Sequence, residues 1–508
     1  MLRSLLAVLL LALPMAAQAD WHEASTGHFI VYSEQKPEAL KAFARELEQF
    51  DKGVRTLLKL PDPPIDRANR VTVYVVDDRG DVARLAKDKF VAGFYKPLAG
   101  GSFAVVPRRA GQGDALSLDP QSILLHEYAH HIMHSMSPNA AYPTWLIEGF
   151  AEFYATAGFG RDGSITFGAP PLYRGAGLMQ GNALPVEKML MADTLKLSEN
   201  ERAGLYGRGW LLTHYLMIGA DQRSTQLGAY VAAINAGKKP MEAARIFGDL
   251  ATLDRELERY KMGRFRIVRL GGSQITIGDI AIRALTPGEA ATMDVRIRAK
   301  AGVDPAAAPE IYAAAQKAAA PYPKDAAAQV VLAEAAFAAR DLAGAEAAAD
   351  RAIAADPKAI DGYVYKAKCQ MARARAAKDV SAATWDAIRT TIATGNRLDP
   401  QDPEPLILYY QSYRAQRLKP SENAMDGLYS AFSYAPQDPS LRMLTATMFL
   451  RRREPATART LLAPLAYQPH AGALVTLATA LLAKIDAGDI DGAIATLNGR
   501  AVEKKPED

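Results

Sequence analysis

Two histidines four residues apart mark the segment of this chain best suited to chemistry. His126, Glu127 and His130 form the pattern H-E-x-x-H within an apolar frame. On an α-helix, positions four apart share a face, so both imidazoles can approach one ion. Zinc favours imidazole nitrogens in tetrahedral geometry and keeps one position for water at catalytic sites. A carboxylate beside the first histidine can take that water's proton, which makes Glu127 the candidate general base.

The flanking residues predict the helix that this spacing requires. Asp119 and Pro120 supply an N-cap and a preset first turn, and Ser137 precedes a proline that stops the helix. His131 lies off the predicted ligand face. His134 shares the face but would lie about 12 Å along the axis from the first histidine, too far for one ion. The alternative is a helix whose histidines are hydrogen-bonded core or surface residues.

A second helix, predicted over residues 143–154, adds two acids. Glu148 follows His130 after seventeen intervening residues, enough for a turn and a helix packed back against the first. It is the candidate third ligand. Glu152 lies one turn further on the same face, where it could hold the second ring nitrogen of a ligand histidine. Gly149 is costly inside a helix unless another backbone approaches closely there.

The two segments together, H-E-Y-A-H and W-L-I-E-G-F-A-E-F, resemble the gluzincin (thermolysin-like) metallopeptidases over roughly residues 21–265. The resemblance implies an α+β zincin-like catalytic domain with one Zn²⁺ per chain. It makes His126, His130 and Glu148 the ligands, Glu127 the catalytic base and Glu152 a residue that orients a ligand. The chain lacks the G-x-M-E-N signature of gluzincin aminopeptidases. It is more similar to bacterial envelope proteins that join such a domain to helical repeats, whose N-terminal signature resembles residues 27–33.

Substrate contacts are predicted on a strand over residues 100–106. In gluzincins a strand so placed forms the sheet edge beside the cleft, where an extended peptide adds by main-chain hydrogen bonds. The resemblance therefore implies substrate binding at Gly101, Phe103 and Ala104. The alternative is an ordinary strand.

Gluzincin chemistry also needs a donor facing the oxyanion of the tetrahedral intermediate. Tyr206, 58 residues beyond Glu148 in a helix predicted over 202–217, is the preferred donor, and His214 is second. The alternative for Tyr206 is an aromatic core residue of an amphipathic helix.

The N-terminus and the composition bear on location. Residues 1–19 hold an early arginine, an apolar run and A-Q-A, which predicts a cleaved secretory signal and a periplasmic or secreted protein without stable membrane insertion. An uncleaved anchor is the alternative. A net charge of +4 in 508 residues, with no basic run carrying interleaved aromatics, argues against a nucleic-acid partner. Cys369 is the lone cysteine and is predicted to be a buried small residue.

The domain organisation follows from the changing pattern along the chain. Residues 20–265 alternate strands (28–32, 71–76, 100–106) with helices (37–60, 81–89, 187–191), and 158–184 form a loop-rich rim. Structural roles are expected for His22 and His28. Residues 266–300 are predicted to form a small β linker module, with strands at 275–282 and 293–297.

Residues 301–500 are alanine-rich helices with prolines at 323, 357, 400, 436 and 469. A period near 34 predicts an all-α, tetratricopeptide-like solenoid, with an insertion around 374–383 and a polar tail at 501–508. The alternative is a non-repetitive bundle. Such solenoids usually bind protein segments.

The sequence thus predicts an exported zinc peptidase that acts on a peptide or protein substrate, with repeats that recruit substrate or a protein partner. In that mechanism zinc polarises the scissile carbonyl and lowers the pKa of water to about 7, while Glu127 takes its proton. One alternative is a non-catalytic envelope adaptor that acts through its repeats. Another is a zinc hydrolase acting on a non-peptide amide, such as a cell-wall crosslink.

Overall fold

The protein is mostly helical, with a small N-terminal sheet followed by a long helical-repeat region. The computed structural model describes residues 21–88, 91–108, 119–175, 178, 184–193, 195, 197–468 and 472–503. The predicted signal segment, residues 1–19, lies outside them.

Six strands form the N-terminal sheet in the order β4-β5-β3-β2-β1-β9. They are β1 His22–Ser25, β2 Phe29–Ser33, β3 Val71–Val76, β4 Phe94–Lys96, β5 Phe103–Pro107 and β9 Ala281–Ala284. Strands β2, β3 and β5 are parallel, whereas β1, β4 and β9 are antiparallel to their neighbours. A second sheet pairs β6 Gly158–Phe159, β7 Ile165–Phe167 and β8 Val268–Leu270.

The central strands are apolar throughout because both faces of the sheet are buried. Phe29 and Val31 lie in the main core, against α1 Pro37–Leu58 and the helices that follow. Ile30 and Tyr32, whose side chains point to the other face, pack against α2 Arg79–Ala86 and a later helix. Burial on both faces explains why these strands read as continuous apolar runs.

The prediction that the strand over 100–106 is an edge strand is wrong. Strand β5 pairs on one side with β3, where Thr72 lies opposite Phe103, and on the other with β4, where Tyr95 lies opposite Ala104. Its main-chain groups are therefore used within the sheet, and no peptide can add to it. Gly101 precedes the strand in a left-handed conformation with a φ of 101°. The edge position belongs to β4.

Seven helices complete the N-terminal part in the described residues after α2. They are α3 Pro120–Met136, α4 Thr144–Ala155, α5 Val186–Leu190, α6 Glu199–His214, α7 Gln226–Asn235, α8 Pro240–Ala243 and α9 Leu250–Lys261. Short 3-10 turns lie at Arg67–Asn69, Leu172–Arg174, Asp221–Arg223, Ala244–Phe247 and Gly272–Gln274, and a π turn lies at Tyr215–Gly219.

Residues 266–300 do not form a separate β module. Strand β8 belongs to the second sheet and β9 to the first, while the predicted strand at 293–297 lies inside helix α10 Pro287–Ala301. Met293 and Ile297, four apart, pack on the sheet, whereas Val295 packs on the following helix. A helix buried on two sides places apolar residues at alternate positions, and this spacing imitates the pattern of a strand.

The repeat region continues from α10 as antiparallel helical hairpins. Its helices are α11 Ala308–Ala319, α12 Ala326–Ala338, α13 Leu342–Ala355, α14 Ile360–Ala376, α15 Ala382–Leu398, α16 Pro403–Ala415, α17 Glu422–Tyr434, α18 Pro439–Arg451, α19 Pro455–Ala466, α20 Ala473–Asp486 and α21 Ile490–Glu503. The prolines at 323, 357, 400 and 436 follow the second helix of successive pairs, and Pro469 lies outside the described residues. The long interval from 357 to 400 arises because α14 and α15 each have 17 residues and are extended at the ends that face the turn between them. The extra length therefore lies where an insertion was predicted, around 374–383.

The repeat region is packed directly on the N-terminal part. The amide of Ala99 donates to Asp438 at 2.8 Å, and Gln437 donates to the Ser102 hydroxyl at 3.0 Å. Ala99 is buried within the core formed by helices α16 to α21. Thr144, the first residue of α4, donates to the carbonyl of Tyr467 at 3.1 Å. The repeats therefore contact both the loop before β5 and the start of α4.

Candidate metal centre

Helix α3 places His126 and His130 side by side. Asp119 caps the helix by accepting from the amide of Ser122 at 3.0 Å, and Pro120 occupies its first turn. Leu125 and other apolar side chains of the helix are buried in the main core, which fixes its rotation. The two histidines lie one turn apart and are both buried, with their Nε2 atoms 3.1 Å apart.

Helix α4 brings Glu148 to the same point. Its Oε2 lies 3.3 Å from Nε2 of His126 and 3.6 Å from Nε2 of His130, and the side chain is 1% exposed. Zinc bonds of about 2.0–2.1 Å in a tetrahedron place neighbouring ligand atoms about 3.3 Å apart. The three measured separations scatter around that value. The two nitrogens and the oxygen therefore form a triangle that fits one face of a zinc coordination sphere.

The position of α4 depends on a close contact between two glycines. A Cβ on Gly149 would lie 2.4 Å from the carbonyl oxygen of Gly209 in α6 and 2.3 Å from Oγ1 of Thr213. The close approach expected of Gly149 is therefore present, and its partner is α6. At its start, α4 is held by Asp193, which accepts from the amide of Thr144 at 3.2 Å.

Glu152 lies directly behind the first histidine. Its Oε1 is 3.4 Å from Nδ1 of His126, the ring nitrogen that faces away from the triangle. Tyr173 donates to Glu152 at 2.8 Å, and Arg174 donates to it at 2.9 Å. These contacts fix the orientation of the imidazole, as carboxylates behind metal-bound histidines do.

Two buried carboxylates dominate the electrostatics of the centre. Burial by itself would lower the pKa of His126, but Glu148 and Glu152 raise it to about 10. Burial would raise the pKa of Glu152, yet His126 and Arg174 hold it below its usual value. Negative charge that holds a proton on an imidazole this strongly would equally favour a divalent cation, whose binding releases that proton.

Tyr206 lies above the same centre and His214 does not. The Tyr206 ring is centred 6.2 Å from that of His126, and the Arg174 guanidinium lies 4.4 Å from its centre. Tyr206 is half-buried, and burial and the Glu148 charge raise its pKa, so its hydroxyl stays protonated and can donate. His214 is fully buried, and its two nitrogens lie 3.0 Å from the Arg266 carbonyl and 2.8 Å from the Tyr260 hydroxyl. As second candidate donor, His214 is excluded.

Glu127 is half-buried and follows His126 on α3. Burial is the main cause of the raised pKa of Tyr206 and of Tyr95 on β4, and the negative charge of Glu127 raises both further. The Glu127 charge therefore acts on tyrosines on both sides, one at the centre and one on the edge strand. His131, predicted to lie off the ligand face, stacks on Tyr128 and lies 2.7 Å from the Tyr95 hydroxyl.

The sequence reasoning missed Tyr173, Arg174 and Asp193. The first two lie in the 3-10 turn Leu172–Arg174, within the segment predicted only as a rim. A tyrosine–arginine pair one residue after two prolines was the available signal. Nothing in the sequence near Asp193 indicated that it would cap a helix 49 residues earlier in the chain.

A second histidine–acid group lies beside α1. Atoms of His28, Asp51 and Asp62 come within 4.8 Å of one another, as do those of the first triad. Here Arg55 donates to Asp51 at 2.6 Å and Lys52 donates to Asp62 at 2.8 Å. The acids of this group are therefore already neutralised by side-chain cations.

Comparisons with known proteins identify no family for the chain. No protein-family model matches it, and no curated protein matches it. Among solved structures, a thermophilic TPR protein from Thermus thermophilus is similar at 17% identity with a TM-score of 0.31, over 38% of this chain and 96% of that one. In the part of the chain that the structure describes, no helix is both long and apolar enough to cross a membrane.

Proposed function

We propose that this protein is an exported, zinc-dependent peptidase of gluzincin type whose helical hairpins are of the tetratricopeptide kind. The observation that carries the proposal is the triangle of 3.1, 3.3 and 3.6 Å between His126, His130 and Glu148. Zn²⁺ held there would polarise a scissile carbonyl and lower the pKa of water to about 7.

The remaining residues supply the proton chemistry and the orientation. Glu127 accepts the proton of the attacking water and passes it to the leaving amine. The Tyr206 hydroxyl donates to the oxyanion, and Arg174 over its ring adds positive charge nearby. Glu152 holds His126 in the orientation and tautomer that leave Nε2 for the metal.

We place the substrate at β4 and not at β5. Strand β4 has one partner in the described sheet and lies against α3. An extended peptide that pairs with the outer side of Phe94–Lys96 would lie along the helix that carries the histidines. Because the repeats contact the loop before β5, a partner bound by them would lie next to this cleft.

Replacement of Glu127 by glutamine tests the proposal. The wild type should hold one zinc per chain and cleave members of a peptide library. Glu127→Gln should keep the zinc and lose about 10²–10⁴-fold in turnover, because only the general base is removed. A chain without zinc and without cleavage would favour the envelope adaptor instead. Zinc with cleavage of peptidoglycan fragments alone would favour the non-peptide amide hydrolase.

Tyr206→Phe provides the second test of the same site. Loss of one oxyanion donor should lower turnover by about 10²–10³-fold with zinc retained. Unchanged turnover would exclude Tyr206 as the donor. Tyr215→Phe, on the turn after α6, is a matched control, because the Tyr215 hydroxyl donates to Glu256 at 3.1 Å.

A further inference from the structure

A groove rich in cations lies on one edge of the repeat region. It encloses about 700 Å³ between the turn joining α16 to α17 and the turn joining α18 to α19. Six basic side chains line it, against two acidic ones, Glu422 and Glu454. Both acids pair with Arg452, at 2.9 and 2.7 Å. The groove therefore carries more positive charge than its own carboxylates neutralise.

Four of the cations have no carboxylate within ion-pair distance in the described residues: Arg414, Arg417, Lys419 and Arg451. Arg451 is half-buried, and its Nε is buried without a hydrogen-bond partner among the residues described. Burial and the neighbouring Arg414 lower the pKa of Arg451. Like charges held together at a partly buried position are stabilised when an anion binds between them.

Cations at equivalent turns extend this positive edge over several repeats. Arg340, Lys378, Arg417 and Arg453 each follow the first helix of a hairpin with φ between 53° and 66°, the left-handed region that favours glycine. The last described hairpin has Gly488 at the same place. Attraction to the helix dipole accounts for a cation at each turn. It does not account for Arg414, Lys419 and Arg451, the other cations of the groove that have no carboxylate within ion-pair distance in the described residues.

Apolar residues at two of these turns are exposed beside the cations. Leu418 is 51% exposed between Arg417 and Lys419, and Val380 is 52% exposed two residues after Lys378. An acidic protein segment would neutralise the cations and leave these side chains in water. A phospholipid surface offers phosphates for the cations and an apolar layer beneath them.

We propose that this edge, from Lys378 to Arg453, is a peripheral binding surface for anionic phospholipid, with headgroup phosphates held in the groove. The long arginine and lysine side chains reach the phosphates while Leu418 enters the interface. Such a surface would hold the protein at a membrane without a spanning segment.

Co-sedimentation with vesicles tests the proposal. The purified chain, with its N-terminus identified, is mixed at about 0.15 M salt with phosphatidylcholine vesicles containing either no or about 30 mol % phosphatidylglycerol. The wild type should bind only the anionic vesicles. Arg414→Gln, Arg417→Gln and Lys419→Gln combined should lower the partition coefficient on the order of 100-fold, given about fivefold for each cation. Leu418→Ser should weaken binding several-fold and leave its salt dependence unchanged.

Three exposed cations elsewhere provide the matched control. Lys41→Gln, Lys317→Gln and Arg397→Gln combined remove the same charge and should change binding by about threefold or less. Equal loss in both triple variants would reduce the effect to net charge and overturn the proposal. Two further probes are polyglutamate and inorganic pyrophosphate. One outcome is that the wild type binds one of these probes and not the vesicles, while the groove triple variant no longer binds that probe. The site would then take an acidic segment or a soluble phosphate, and the proposal would fail.

Discussion

Two groups of histidine and acid side chains in this protein satisfy the same distances and differ in their surroundings. In the first, His126, His130 and Glu148 are all buried. The negative charges of Glu148 and Glu152 outweigh the positive charge of Arg174, which pairs with Glu152. In the second, His28 is bonded at Nδ1 to Glu48 and lies 3.1 Å from Asp62 at Nε2. Its acids are also engaged by lysine and arginine.

The contrast shows that ligand spacing alone does not make a metal site. A divalent cation at the second group would have to displace side-chain cations that already bind its oxygens, whereas at the first group its binding would release the proton held on His126. Burying a carboxylate costs free energy unless positive charge lies against it, and a metal ion bound at the first group would supply such charge. The two groups should therefore behave differently in every measurement that depends on a bound ion.

Metal content gives the largest expected difference between the groups. His126→Ala should reduce zinc from about one per chain to none, because two remaining ligands hold zinc far more weakly than three. His28→Gln should leave the zinc content unchanged. Elemental analysis of the two purified variants measures this directly. If His28→Gln lost its zinc while His126→Ala kept one zinc per chain, the comparison would be reversed.

The difference between the groups was only partly predictable from sequence. The pairing of His126 with His130 follows from helix periodicity, since residues four apart must share a face. The position of Glu148 depended on a resemblance, because seventeen intervening residues fix no geometry. Arg174 reaches Glu152 behind the centre, and Asp193 reaches the start of α4, from segments without periodicity. Their contacts therefore depend on tertiary packing that no local pattern encodes.

Two errors in the predicted fold have different origins. The edge position of β5 was taken from the gluzincin resemblance, and strand β4, which occupies that edge, has three residues, too few to show alternation. Helix α10 was predicted as a strand because Met293, Val295 and Ile297 are packed on two different sides. The long helical hairpins, with repeated prolines and small residues, were predicted well because each is determined locally.

The next largest difference should appear in the free energy of unfolding when a glycine beside each group is replaced by alanine. Gly149→Ala places a methyl group against the backbone of Gly209, which cannot move without shifting α6, so we expect a loss of about 3 kcal/mol in the free energy of unfolding. Gly27→Ala, beside the second group, meets the Glu48 carboxylate at an ordinary 3.7 Å and should change stability by about 0.5 kcal/mol or less. Urea unfolding measures both. Equal losses would show that the close helix contact does not support the metal centre.

The smallest difference should appear in the pH dependence of stability. Burial would lower the pKa of His28, but Glu48 and Asp51 raise it above the usual value near 6.5. Folding therefore favours the charged form of His28. Its contribution to the free energy of unfolding is present in full below about pH 6.5 and is lost as the pH rises through the raised pKa. The stability advantage of wild type over His28→Gln should accordingly shrink as the pH rises above about 6.5.

His214 lies on the helix that supports the metal centre and provides a control of opposite sign. Burial lowers its pKa to about 4, so folding favours the neutral form and wild type loses stability as pH falls below about 6.5, where the unfolded chain takes up a proton. The advantage over His214→Gln should therefore grow from about pH 4 to about pH 6.5 and be level above that. One proton limits either slope to about 1.4 kcal/mol per pH unit. Slopes of the same sign in the two variants would mean that the acids around His28 do not hold it charged. The cations paired with Asp51 and Asp62 would then be the remaining barrier to a metal at the second group.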